Sequence, residues 1–181
     1  MRWTSLTAPR RTATVTTVND TWTVAPERFD SPDAGALWRE CYTHMSDSWY
    51  LLTENRRTDP EELEREIAAD PGTELVPPRG ALVIARRDGA AAGMAGVRLL
   101  DDGRAELKRV FLRPEFRGTG GAAVLVQAAE EQARRLGATR MVLETRSDFV
   151  AARALYQRLG YSEIEPYTRA QYAEHWYGKE L

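Results

Sequence analysis

Cysteine and histidine are scarce in this 181-residue chain, and charge of one sign is not in excess. A single cysteine, Cys41, has no partner for an internal disulfide, which excludes a cross-linked scaffold and suits a reducing cytoplasm. Two histidines, His44 and His175, leave few soft ligands, so no metal site is expected. Lysine and arginine number 25 against 27 acids, a formal net charge of -2, and no basic field gathers a nucleic-acid backbone. No stretch approaches the roughly 20 apolar residues that cross a bilayer. Met1 to Asp20 also lacks the run of about seven apolar residues at the heart of a secretory leader. Residues 1–20 are therefore expected to form a poorly ordered N-terminal extension, and residues 21–181 a single domain. The 43% hydrophobic content is enough for one core and too high for a solvated disordered chain.

The hydrophobic period changes along the chain. After a short strand near Trp22 to Val24, the segment from Ser31 or Asp33 to Met45 places Leu37, Trp38, Cys41, Tyr42 and Met45 at helical spacing. Thr58-Asp59-Pro60-Glu61-Glu62 opens a second, short helix with proline and acids in its first turn. Beyond Pro77-Pro78 the pattern becomes that of strands: Ala81 to Ala85, Ala92 to Leu100 and Ala105 to Leu112, separated by turns at Arg87-Asp88-Gly89 and Asp101-Asp102-Gly103. A helix from about Gly118 to Leu136 has the strongest period in the chain, with Ala122, Leu125, Val126, Ala129, Ala133 and Leu136 on one face. A strand at Thr139 to Thr145, a helix capped by Ser147 or Asp148 and running to Leu159, and a strand at Tyr161 to Ile164 follow; Glu174 to Leu181 reads as a last strand or a tail. Three meander strands and then alternating strand and helix predict an α/β (α+β) domain, a mixed and mostly antiparallel sheet flanked by helices.

Chemistry concentrates where Leu107 to Leu112 leads through Arg113 and Arg117 into Gly118-Thr119-Gly120-Gly121-Ala122. Glycines between a strand and a helix let backbone N–H groups approach a ligand, and the first helical turn leaves several donors unpaired beside a partial positive charge. That is an anion cradle, most often for phosphate. Three readings stay open on spacing alone. One is a tight turn with no ligand. Another is a dinucleotide loop, since Gly118-x-Gly120-x-x-Ala123 fits that fingerprint with Glu144 some way further on; the five residues from Arg113 to Arg117 and the short remaining chain speak against it. The third is a coenzyme loop of another kind.

Arg117-x-x-Gly120-x-Ala122 resembles the coenzyme A pyrophosphate loop, Gln/Arg-x-x-Gly-x-Gly/Ala, of the GNAT superfamily of N-acetyltransferases. Glu106-Leu-Lys-Arg-Val-Phe-Leu-Arg-Pro-Glu115 resembles the strand before it, and Ala152-Arg-Ala-Leu-Tyr156-Gln-Arg-Leu-Gly160-Tyr161 the family's later helix-to-strand signature. The resemblance covers about Ala81 to Pro166 and implies the acyl-CoA N-acyltransferase fold. It implies acetyl-CoA as co-substrate, its pyrophosphate on the backbone of Arg117, Gly118, Thr119, Gly120, Gly121 and Ala122, and its pantetheine arm along Val110, Phe111 and Leu112. It further implies direct acetyl transfer to a primary amine of a small molecule or peptide, with no metal, nucleic acid or membrane, and leaves a homodimer open.

An ammonium of pKa about 10.4 is neutral in roughly one molecule in 2500 at pH 7, so a base must take its proton. Glu106 is the favoured base, with Glu144 in reserve; strand alternation is expected to put Glu106 on one face with Lys108, Val110 and Leu112. Either acid also reads as an ordinary ion-pair residue. The resemblance gives the Val110 or Phe111 N–H to the oxyanion and makes Tyr156 the acid that protonates the departing thiolate; a buried core aromatic is the plainer reading of Tyr156. The family's frequent asparagine is replaced around Asp148-Phe149-Val150, which puts one contact to the pantetheine arm in question. Cys41 and His44 read better as a buried thiol and a surface imidazole than as an acyl relay. Trp38, Tyr42, Trp49 and Tyr50 read as core or as the wall of an acceptor pocket. The alternative function is a non-catalytic acyl-CoA-binding or regulatory module on the same fold.

Overall fold

The structure is a computed structural model that describes residues 16–19 and 22–181. Eight strands form one sheet: β1 (Thr16–Asn19), β2 (Trp22–Glu27), β3 (Gly80–Arg87), β4 (Ala90–Leu99), β5 (Ala105–Leu112), β6 (Arg140–Thr145), β7 (Ser162–Glu163) and β8 (His175–Glu180). Their order is β1-β2-β3-β4-β5-β6-β8-β7, and every pairing is antiparallel except β5 with β6. Four residues of the stretch expected as an extension thus join the sheet as its edge; residues 1–15 lie outside the described residues. The last stretch is a strand, β8, and it inserts between β6 and β7.

Local chemistry sets the helix starts. The Ser31 hydroxyl accepts from the Ala34 N–H at 3.2 Å and Pro32 opens α1 (Pro32–Thr53), which runs two turns beyond the expected Met45. Asp59 caps α2 (Pro60–Ala69) by accepting from the N–H groups of Glu61 and Glu62. α3 (Gly121–Arg135) begins three residues later than its apolar pattern suggested, because Gly118 and Gly120 lie at φ 76° and 89°, outside the right-handed helical region. α4 (Val150–Arg158) also starts late, after Phe149, which provides no side-chain cap.

Helices cover both faces. On one, Leu37, Trp38 and Tyr42 of α1 pack with Leu82, Ile84, Met94 and Phe111. On the other, Val124, Leu125 and Ala129 of α3 and Leu155 and Tyr156 of α4 pack with Val83, Val97, Leu107 and Leu112. No helix among the described residues is long and apolar enough to cross a membrane.

The feature that positions the site is a bulge. Lys108 faces Gly96 and Phe111 faces Met94, so Arg109 and Val110 together oppose the single residue Ala95, and Arg109 takes φ 54°. An inserted residue bends its strand and raises its twist. β5 accordingly meets β6 only at Ala105↔Met141 and Glu106↔Val142, and beyond those pairs the two strands part.

Candidate active site

A single 3-10 turn at Pro114–Phe116 carries the chain from β5 to Arg117. An added Cβ at Gly118 or Gly120 would meet nothing within 4 Å, so this backbone lies open. Gly120 caps α3 without a side chain, and the first N–H groups bonded back to its carbonyl are those of Ala123 and Val124, at 3.1 and 3.3 Å. The N–H groups of residues 118–122 meet no backbone carbonyl among the described residues. Unpaired donors at a helix start attract an anion. Arg117 is exposed; its Nε donates to the Leu112 carbonyl at 3.0 Å, and a terminal nitrogen lies 3.4 Å from His44 Nε2. Arg113, by contrast, is occupied: it donates to both Glu40 oxygens at 2.7 Å and to the Ala91 carbonyl at 2.6 Å.

Where β5 and β6 part, the backbone of Val110, Phe111 and Leu112 has no partner on the β6 side. Arg109 and Val110 also stand out of register with β4, opposite the single residue Ala95. The same bulge overturns the expected alternation. Glu106 and Lys108 lie on the α1 face with Phe111, while Val110 and Leu112 pack on the α3 face, because one extra residue reverses every side chain beyond it. Arg109 is thereby turned toward α1, where its guanidinium donates to the Tyr42 hydroxyl at 2.8 Å and pairs with Asp70. Burial raises the Asp70 pKa, but hydrogen bonds from Tyr42 and Arg109 outweigh it and hold the carboxyl below its usual range.

Glu106 sits at the closed end of this cleft with 1% of its surface exposed. Both carboxylate oxygens are engaged: Oε2 accepts from Arg98 Nε at 2.5 Å and Oε1 from the Tyr167 hydroxyl at 2.8 Å. Arg98 and Lys108 also pair with Glu74, at 2.5 and 2.8 Å, so the group is a network of two acids and two cations. Burial and then the Glu106 charge raise the Tyr167 pKa, keeping that phenol a donor. Glu144 is half-buried and accepts from Thr168 Oγ1.

Tyr156 is buried in the α3-face core, its ring 5.9 and 6.2 Å from those of Tyr161 and Tyr177. Loss of water chiefly raises its pKa, with a smaller contribution from Cys41. Cys41 itself is 2% exposed and burial pushes its thiol up to about 12, which makes it a poor nucleophile. His44 lies with its exposed ring against Phe111 and Phe149, at 6.0 and 6.1 Å, and lost hydration followed by Arg117 and Arg146 lowers its pKa. Trp38 and Tyr42 are core; Trp49 stands edge-on to Tyr172 at 4.8 Å, and Tyr50 donates to Glu62.

The Arg117 bond to the Leu112 carbonyl brings the start of the 117–122 loop against the end of β5. Among the described residues no hydrogen bond or shared partner joins Glu106 to Tyr156. Sequence reasoning missed Arg98 and Tyr167, which hold Glu106, and Trp22, whose Nε1 donates to the Thr119 carbonyl at 3.3 Å. Tyr167 lies in a stretch without periodicity, and Trp22 precedes its partner by 97 residues, so no local signal linked either one to the site.

Comparison with known proteins follows the same outline. Residues 38–161 match the model of the Acetyltransferase (GNAT) family. An uncharacterized N-acetyltransferase of Schizosaccharomyces pombe is 35% identical over 101 residues, which is 55% of this chain and 62% of that protein. The match thus spans about three fifths of that curated relative's length. A GNAT-family acetyltransferase of Staphylococcus aureus shares the fold with TM-score 0.65 at 16% identity, covering 88% of this chain and 99% of that one. A Salmonella typhimurium protein solved with its cofactor acetyl-CoA superposes with TM-score 0.59 at 18% identity over 90% of this chain and 95% of its own.

Proposed function

The chain belongs to the acetyltransferase (GNAT) family, and from that premise we propose that it transfers an acetyl group from acetyl-CoA to a primary amine of a small molecule or peptide. One observation carries the reading: the N–H donors of residues 118–122, which meet no backbone carbonyl among the described residues and are left open at Gly118 and Gly120, lie beside the stretch of β5, Val110 to Leu112, that β6 leaves uncovered. That pairing suits a molecule with a diphosphate at one end and an amide-bearing arm at the other. Gly118 to Ala122 would hold the diphosphate, with Arg117 adding a charge-assisted contact. The β5 edge would pair with the arm. When bound, acetyl-CoA supplies an activated thioester.

The residues of this chain divide the remaining work. The N–H of Val110 or Phe111, beside the bulge, would face the charge that develops on the acetyl oxygen. Glu106 takes the amine proton through water, since both of its oxygens already have donors. Tyr156 gives its proton to the thiolate as the C–S bond breaks. In water that transfer is uphill by about 2 kcal/mol. Burial raises the Tyr156 pKa further, so transfer needs a site that raises the basicity of the departing thiolate as well.

Wild-type protein incubated with acetyl-CoA, a panel of primary amines and a thiol indicator should release coenzyme A. Binding without turnover across a broad panel would favour a second reading, an acyl-CoA-binding module, which draws support from the full engagement of Glu106 by Arg98 and Tyr167.

A further inference from the structure

We infer that Trp22, on the far strand β2, is a positioning residue that sets the peptide plane of the diphosphate cradle, an inference that rests on the acetyl-CoA reading above. Three contacts lock this side chain under the loop. Its Nε1–H donates to the Thr119 carbonyl at 3.3 Å. Its six-membered ring lies where a Cβ on Gly121 would be, 2.5 Å from that position, so α3 starts in direct backbone contact with the indole. Its ring also meets Phe116 edge-on at 6.1 Å, and Phe116 in turn offers its carbonyl to the Thr119 hydroxyl at 2.6 Å. Trp22 is 2% exposed, so it touches no ligand itself.

The consequence follows from peptide geometry. In a planar trans peptide the C=O of one residue and the N–H of the next point in opposite directions. A donor that holds the Thr119 carbonyl inward therefore aims the Gly120 N–H outward, toward the side on which Gly118 and Gly120 are open. Glycine at φ 89° has no side chain to fix that plane by itself. Trp22 supplies the constraint from beneath, and the seating of Gly121 on the ring fixes where α3 presents its first donors.

The test is Trp22→Phe, which keeps an aromatic ring in the core but removes both the N–H and the outer ring atoms that meet Gly121. Loss of one partly buried hydrogen bond and of the preset plane should raise the KM for acetyl-CoA about fivefold to tenfold, with kcat within about twofold. The inhibition constant of 3′-phosphoadenosine 5′-diphosphate, the half that carries the diphosphate, should rise in parallel, while that of pantetheine stays unchanged. Equal weakening of both halves, or a fall in kcat at constant KM, would mean general damage and overturn the inference. If wild type binds acetyl-CoA and Trp22→Phe binds it equally well, the inference alone fails; if wild type gives no calorimetric heat with acetyl-CoA, the acetyl-CoA reading fails and takes the inference with it. Should the variant not fold, hydrogen exchange on the wild type decides. A protected Trp22 indole proton together with a Gly120 amide signal that shifts on adding coenzyme A supports the inference, and a freely exchanging indole proton or an unmoved Gly120 signal refutes it.

Discussion

Replacing Tyr156 with phenylalanine separates the two readings of that residue most cleanly. The ring packs against Tyr161 and Tyr177 and carries the burial, whereas the hydroxyl meets no hydrogen-bond partner among the described residues. Phenylalanine keeps the ring, so the expected change in stability is below about 1 kcal/mol, or about 2–4 °C in Tm for a chain of this length. Activity should respond quite differently. Without the phenol the thiolate must leave unprotonated beside a buried, water-poor core. General acids of this kind contribute about 100-fold or more, which corresponds to about 2.7 kcal/mol of barrier. The KM for acetyl-CoA should stay within about twofold, because the cradle lies on another element. The phenol's raised pKa also keeps it protonated throughout the neutral range, so no alkaline fall in kcat attributable to it is expected below about pH 10. Steady-state release of coenzyme A, followed with a thiol indicator beside a thermal melt, reads both quantities. A kcat within threefold of wild type at unchanged Tm would refute the acid role and leave Tyr156 a core aromatic.

Three further outcomes follow from the same geometry. Glu106→Gln should lower kcat/KM by about tenfold or more at pH 7 and recover as the pH approaches that at which the amine deprotonates by itself; a pH-independent loss would make Glu106 a structural partner of Arg98 only. Gly120→Ala forces a side chain into φ 89° and into the open cradle, so it should cost about 1 kcal/mol of stability and weaken acetyl-CoA binding about tenfold, as seen by denaturant titration and calorimetry. Asp70 is held below its usual range when folded, so its contribution is present above about pH 4 and is lost as pH falls through the depressed value; Asp70→Asn should be destabilised by about 1–2 kcal/mol at pH 7 and lose less stability than wild type between about pH 4 and 2, read by urea unfolding.

The parts of the fold visible in the sequence were those with a local cause. The apolar period of α3, the glycines before it, the Pro60 start of α2 and the alternation that announces β3 to β5 each depend on neighbours a few residues away. What escaped was set by distant partners. Nothing around Arg109 announces a bulge, yet that one inserted residue reverses Val110 and Leu112 relative to Glu106 and parts β5 from β6. The insertion of β8 between β6 and β7 is a tertiary choice between two edges. The neighbours of Glu106 come from β4 and from Tyr167, 61 residues away, which is why the sequence leaves Glu106 open between a base and an ion-pair residue and does not announce the closed network.

A crystal structure of the protein with acetyl-CoA tests the central claim most directly. Diphosphate oxygens within about 2.7–3.2 Å of the backbone nitrogens of Gly118 to Ala122, with the arm lying along Val110 to Leu112, are the predicted result. A diphosphate seated elsewhere, or an arm that never enters the gap between β5 and β6, would contradict it.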